Sequence, residues 1–276
     1  MGNWAHWMLG LAVLAGLALQ SKAAAPSPQA LSQEAATIGP TANIRAPEPD
    51  HHWPDFETYV YDAEWKIWTA GTATLRMQPG AGGEQHVYGT ADSTGFVSLL
   101  YTVRDRFESS FDPKTFCTSH LLKHTEEGFR RRKTNIHFDY ARSKAALDEK
   151  NLKSGESKHV ENEIPSCATD VLTAVYYVGT LPLQPGMTYT FPLNDGNITQ
   201  TVEVRAEARE QVKVPAGTFR TIRVQPTASS GVLKDRGKVW IWFSDDAARI
   251  PVQMRARMFW GTLTFRLQRI ERPPQK

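Results

Sequence analysis

"VWIWFSDDAARIPVQMRARMFWG", residues 239–261, alternates apolar and polar side chains over most of its length and carries two adjacent aspartates. If Asp245 and Asp246 are a working carboxylate pair, the chain reads as an enzyme or a metal protein. If they form the bend between two strands, it reads as β-sheet. Val239, Ile241 and Phe243 alternate with Trp240 and Trp242. Beyond the aspartates, Ile250, Val252, Met254, Ala256, Met258 and Trp260 share a face opposite Gln253, Arg255 and Arg257. A period of two belongs to a strand. Asp and Ser favour turns because their side chains bond to nearby backbone groups. An acid–base pair instead needs two carboxyls converging in a cleft with their pKa values split, and adjacent residues point apart. Ser244–Ala247 is therefore predicted as a turn. At Gly261 the phase slips, and Leu263, Phe265 and Leu267 carry the apolar face on the other parity, which predicts a β-bulge or sharp bend.

The same period runs back along the chain. In "TYVYDAEWKIW", Tyr59, Tyr61, Ala63, Trp65 and Ile67 share a face; Ala73, Leu75 and Met77 alternate next; Val103, Phe107 and Phe111 oppose Arg104, Arg106 and Glu108. Glu126-Glu127-Gly128 and "VKVPAGTFRTIRV" read as hairpin turns, with Gly128 and Gly217 ending them and Pro215 preset for a turn. One segment departs from the pattern. "PSCATDVLTAVYYVGTLPL" offers Ser166 or Thr169 as an N-cap, Asp170 in the first turn, and Val171, Leu172, Val175 and Val178 at helical spacing before Gly179. A shorter helical turn is expected at 95–101. Hairpins in series with one packed helix predict a mainly β fold: a strongly curved antiparallel sheet forming an open barrel or β-spiral around one α-helix.

The ends of the chain bound its class. Trp7–Leu19 is almost wholly apolar and Ser21-Lys22-Ala23 supplies small residues, which predicts a signal peptide over 1–23 and a periplasmic or secreted protein. The first residues carry no Lys or Arg, so an uncleaved N-terminal anchor is the alternative. Residues 24–52, rich in Ala, Pro, Ser and Gln, read as a flexible linker, leaving 53–272 as a single β-rich domain. Two cysteines in an exported chain favour a Cys117–Cys167 disulfide over a pair of buried thiols. Closing a loop of about 50 residues stabilises a fold by roughly 4 kcal/mol on the chain-entropy model.

Sites of chemistry are sparse. The formal net charge of +3 gives no warrant for nucleic-acid binding. His120 and His124 lack a carboxylate at ligand spacing, neither HExxH nor a zinc-type Cys/His array is present, and His51-His52 read as solvent-exposed, so no metal is expected. No glycine-flanked serine elbow, P-loop or GxGxxG motif occurs; Ser93-Thr94-Gly95 and Ser229-Ser230-Gly231 are turn compositions. No cofactor and no catalytic activity are expected. In "FRRRKTNIHFDY", the parity of Ile136, Phe138 and Tyr140 carries Thr134, Arg132 and Arg130 towards the inner face. Either the charges stand in water beyond the core, or Arg130 and Arg132 hold an anionic head group bidentately. Trp240 and Trp242 make their strand apolar on both sides. Either both faces are buried, or one, bearing the tryptophans, lines a cavity.

These elements resemble the bacterial exported proteins grouped as domain-of-unknown-function family 3108. The similarity lies in "FDPKTFCTSHLLKHTEEGFRRRKTNIHFDY", "TDVLTAVYYVGTLPLQPGMTY", "VKVPAGTFRTIRV" and "KVWIWFSDDAARIPVQMRARMFWGTLTFRLQRIE". More distantly the pattern is similar to the periplasmic half-barrels of the lipoprotein carriers LolA and LolB, an analogy of fold that does not carry function. The expectation is a non-catalytic envelope protein, peripheral to a membrane at most. It would bind a lipid, a lipoprotein or another envelope partner in its concave face through Arg130, Arg132, Trp240 and Trp242. The alternatives are an interaction module with a solid core and no small-molecule site, and, third, an envelope-polymer hydrolase.

Overall fold

In the computed structural model, the described residues are 43–47, 51, 53–65, 68–228, 237–258 and 261–273. The expected signal peptide, most of the expected linker, His52, Ile67, Ser229-Ser230-Gly231 and Trp260 lie outside them. In chain order the elements are β1 (Thr58–Trp65), β2 (Trp68–Pro79), β3 (Gln85–Ser93), α1 (Gly95–Leu100), β4 (Val103–Phe111), β5 (Thr118–Glu127), β6 (Arg130–Asp139), β7 (Lys144–Asn151) and β8 (Ser157–Glu163). Then come α2 (Val171–Thr180), β9 (Thr188–Asn194), β10 (Thr199–Val214), β11 (Gly217–Ala228), β12 (Lys238–Ser244), β13 (Pro251–Met258) and β14 (Gly261–Glu271).

The strands form one antiparallel sheet of 14 in the order β8-β7-β6-β5-β4-β3-β2-β1-β14-β13-β12-β11-β10-β9. Each half is a meander. β1 joins the halves by pairing with β14, Thr58 opposite Glu271 and Trp65 opposite Leu263. The sheet does not close, and β8 and β9 are its edges. Side chains bridge the gap instead: Asn194 Nδ2 at the end of β9 donates to Asn162 Oδ1 of β8 at 2.6 Å, and Thr199 Oγ1 at the start of β10 donates to the Glu163 carbonyl at 3.0 Å. The β9–β10 turn overlaps the concave side of the first half. Gly196 there, at φ 100°, lies so close that a Cβ would stand 2.4 Å from Ile136 Cδ1 and 2.7 Å from Leu147 Cδ1. Only glycine fits both that backbone and that space. The sheet is a spiral whose trailing end tucks inside its leading end.

The inward parity is as the sequence predicts over β1, β2, β4 and β6: Tyr59, Tyr61, Ala63, Ala73, Leu75, Met77, Val103, Phe107, Phe111, Ile136 and Phe138 are all buried. The hairpin turns are also where predicted, with Gly128 at φ 56° and Gly217 opposite Val214. Two local readings change. Asp170 is not in the first turn of α2 but is its N-cap, accepting from Leu172 N at 2.8 Å and Thr173 N at 3.4 Å. And the phase slip at Gly261 is a hairpin rather than a bulge: Met258 pairs with Gly261, so β13 and β14 are separate strands joined by two residues.

α2 crosses the concave face between the two edges. Leu172 packs at Gly89 of β3, and Tyr177 meets the rings of Phe116 and Phe191 edge-on at 5.2 and 4.9 Å. Cys117 and Cys167 form a disulfide that ties the β4–β5 connection to the approach to α2. From the segment expected as linker, Ile44 packs against the core and Arg45 N donates to Tyr177 Oη at 3.1 Å; nearby, Trp53 packs on Phe111 and Phe116. His51 is half-buried, its ring edge-on to Trp53 at 4.7 Å.

Candidate functional site: an apolar hollow behind the helix

The two halves of the sheet present different interiors to α2. A cavity of about 190 Å³ remains between the helix and the strands, faced from the first half by Tyr61, Leu75, Ala91 and Phe107. The rest of its wall comes from Val171, Leu172, Val175 and Val178 of α2, Phe191 and Leu193 of β9, Val202 and Val204 of β10, Val224 of β11, Val239 and Ile241 of β12, Met254 of β13 and Phe265 of β14. Val171, Val175, Val239, Ile241 and Met254 are half-buried rather than buried, because their free faces look into the hollow. α2 is apolar all round, so it packs on the sheet with one side and lines the cavity with another. Gln200 stands on the inward parity of β10; its Oε1 is buried and has no hydrogen-bond partner among the described residues.

The tryptophans take the other face. Ile222 pairs with Phe243 and Val224 with Ile241, and both β11 residues are fully buried, so the core side of β12 is Val239, Ile241 and Phe243. Trp242 therefore faces outward. Its Nε1 donates to Glu210 Oε1 at 2.8 Å, and the Arg255 guanidinium lies 5.3 Å from its ring centre. Arg223 bridges Glu207 and Glu210 alongside. This polar lid covers the ring without any help from α2. Trp240, on the same parity, is half-buried, and neither tryptophan lines the hollow.

Deeper in the first half, around β4 and β5, the interior turns polar. Asp170 accepts from Ser109 Oγ and from Thr118 Oγ1, the latter at 2.7 Å, and Ser109 also bonds Thr173. Lys123 is buried and donates to the Asp195 carbonyl at 3.0 Å; burial pulls its pKa down, against the pull of Asp195, Asp170 and Glu149. Asp105, fully buried on β4, accepts from Glu126 N at 3.1 Å. Burial and the nearby Glu127 charge push its carboxyl up to about 8. Burial and Glu127 also push the Tyr101 hydroxyl up to about 12. Arg130 is exposed at the β5–β6 turn, while Arg132, half-buried, pairs with Glu149 at 3.4 Å. The structure puts both arginines at the end of this polar half, away from the hollow and from the tryptophans.

The other sequence candidates resolve locally. Asp246 Oδ1 accepts from Ser244 Oγ, Ala248 N and Arg249 N, the geometry of the predicted turn. Asp245 bonds Arg209 at 2.9 Å and Arg249 at 3.2 Å; desolvation raises its pKa, but these two arginines outweigh it and hold the carboxyl below the usual range. His120 meets Asn135 and His124 meets Glu126 on the outer face of β5. Among the described residues no three His, Cys, Asp or Glu side chains converge to hold a metal ion.

What the sequence reading missed is Val171, Val175 and Gln200 as wall residues, and Asp105, Lys123 and Glu127 as inward charges. The parity was available: Asp105 falls in step with Val103 and Phe107.

The chain belongs to the family described as protein of unknown function DUF3108, whose model matches residues 60–268. No curated protein matches it. Among solved structures it is similar to a beta-barrel-like protein of domain of unknown function DUF1849 from Brucella abortus. The identity is 8%, with 79% of this chain and 98% of that one covered at a TM-score of 0.53. An exported protein with a YmcC-like fold from Bacteroides fragilis shares 9% identity over 84% of this chain and 100% of that one, at a TM-score of 0.34. The first shows a shared barrel-like fold; the second superposes too loosely to add to it. No described helix is long and apolar enough to cross a membrane.

Proposed function

We propose that this protein is an exported, non-catalytic binder that takes an apolar or amphiphilic ligand into the hollow behind α2. The observation that carries the reading is the hollow itself, with its apolar wall. Protein cores leave few voids larger than a water molecule. The hollow is half-open and its wall almost wholly apolar, so Val171, Val175, Val239, Ile241 and Met254 keep apolar surface that a ligand would cover. An apolar cavity of about 150 Å³ is enough to bind benzene, so this one suits a small ring or one short stretch of alkyl chain.

Gln200 adds a polar handle: its buried carbonyl oxygen suits a hydroxyl or amide N–H on the ligand. The wall favours binding over catalysis, since the Asp195 carboxylate beside it is already held by the backbone N–H groups of Asn197 and Ile198. Export rests on the apolar stretch and small residues at 7–23, and is checked by sequencing the N-terminus of the protein recovered outside the cytoplasm.

The direct test is the mass of the exported chain under native and then denaturing conditions. Extra mass lost on denaturation identifies the ligand class. A chain that stays bare after production in cells, and after incubation with fatty acids and lysophospholipids, removes this reading and leaves the interaction module.

A further inference from the structure

In the meander β1–β8, alternate connections fall at opposite ends of the strands, so the β1–β2, β3–β4, β5–β6 and β7–β8 connections share one rim. Backbone bonds join them along it: Thr94 N to Ala70 O, Gly128 N to Thr102 O, and Leu152 N to Arg131 O. Of the nine large apolar side chains exposed among the described residues, six stand here: Trp68, Phe96, Leu99, Leu100, Phe129 and Leu152. α1 buries Val97 alone and leaves Leu99 82% exposed, and Phe129 is 80% exposed at a turn tip. The connections of the opposite rim, 80–84, 112–117 and 140–143, carry no such residue; Phe116 there is buried, and at that end Phe56, bonded through its N–H to the Met77 carbonyl, is 46% exposed. Exposed apolar groups gathered at one end indicate a surface that something covers.

The rim is also basic. Residues 126–133 and 150–158 together hold seven Lys and Arg against three Glu. Arg104, Arg130 and Lys133 make no ion pair among the described residues, and Lys153 sits 5.4 Å over the Phe129 ring. We infer that this rim docks on an anionic phospholipid surface, with Phe96, Leu99, Leu100 and Phe129 entering the interfacial layer and the flanking cations meeting phosphate. Protruding apolar tips with a row of cations on one side of them suit a soft anionic surface. Two copies of the rim face to face would set like charges together, which disfavours self-association.

The test uses the full exported chain with its disulfide intact, carrying an environment-sensitive dye at Phe129→Cys or, on the opposite rim, at Arg142→Cys. With mixed phosphatidylglycerol–phosphatidylcholine vesicles, the dye at 129 shifts to the blue and the dye at 142 does not. The response weakens roughly tenfold or more on pure phosphatidylcholine, and again with Leu99→Ser and Leu100→Ser. Silence at 129, or equal response at both positions, overturns the proposal. So does a shift at 129 that needs no vesicles and grows with protein concentration, which would assign the rim to a second copy. The cavity reading is separate: a chain that carries a co-purified ligand but gives no shift refutes the rim alone.

Discussion

Asn162 and Asn194 face each other across the one seam that no ladder of the 14-stranded sheet spans, amide to amide at 2.6 Å. Asn162 also donates to the Gly196 carbonyl at 3.0 Å, and Asn194 Oδ1 accepts from Gly196 N at 2.7 Å. Two side chains thus hold the trailing turn against the leading edge.

Asn162→Ala leaves the Asn194 amide and the Gly196 carbonyl each short of a partner, at about 1–3 kcal/mol. Urea unfolding should show that loss, and amide exchange should quicken around 192–198. An unchanged midpoint would mean that the other contacts, Thr199 to the Glu163 carbonyl and Lys123 to the Asp195 carbonyl among them, hold the seam without Asn162.

Gly196→Ala meets two obstacles, the positive φ and the contact with Ile136 and Leu147. A loss of about 2–4 kcal/mol is expected. Adding Ile136→Ala and Leu147→Ala to both parent and variant should shrink the penalty only in part, because smaller neighbours relieve the contacts and not the backbone. Full recovery would show that the φ angle carries no strain.

Asp105 titrates at about 8 in the fold against an ordinary 3.8. Between those values the unfolded chain has released a proton that the folded chain still holds, so stability falls as pH rises from about 4 to about 8 and levels off above. Asp105→Asn keeps the acceptor for Glu126 N and removes the ionisation. The variant should be more stable than the parent at pH 8, with little difference near pH 4, by urea midpoints at both. An unaltered pH profile would place the titration elsewhere.

Val175→Phe extends a ring into the hollow from α2. Any co-purified mass should disappear while thermal stability holds or rises by about 1 kcal/mol, since filling a void gains contacts without crowding a full core. A ligand retained at parental level would mean that it sits outside the hollow.

Much of this was legible from parity. A period of two puts Tyr61, Met77, Phe107 and Ile136 inward whatever the strands pair with, because burial of one face fixes it. Parity does not say which side of β12 is the inside when both are apolar. The partner strand decides that: Ile222 and Val224 draw Ile241 and Phe243 inward and leave the indoles to Glu210 and Arg255. Nor does a slip at Gly261 distinguish a bulge from a two-residue hairpin, a matter of pairing between Met258 and Gly261. The hollow is a difference between volumes contributed by strands of both halves and a helix, and no local pattern encodes it. Asp105 was hidden for another reason: an acid in step with Val103 and Phe107 looks like an interruption until Tyr101 and Glu127 are seen around it.

β1 lies in the middle of the sheet, with β2 on one side and β14 on the other. Synthesis delivers β1 early and β14 last, some 200 residues later. Until then the edge of β1 that pairs with β14 is bare, open to strangers as readily as to its own partner. The halves can assemble hairpin by hairpin through short loops, but the join between them is a long-range closure of the kind that slows β-proteins. The last strand made is the one that completes the first, so a chain shortened at its C-terminus before Leu263 would lose the middle of its sheet and not its margin.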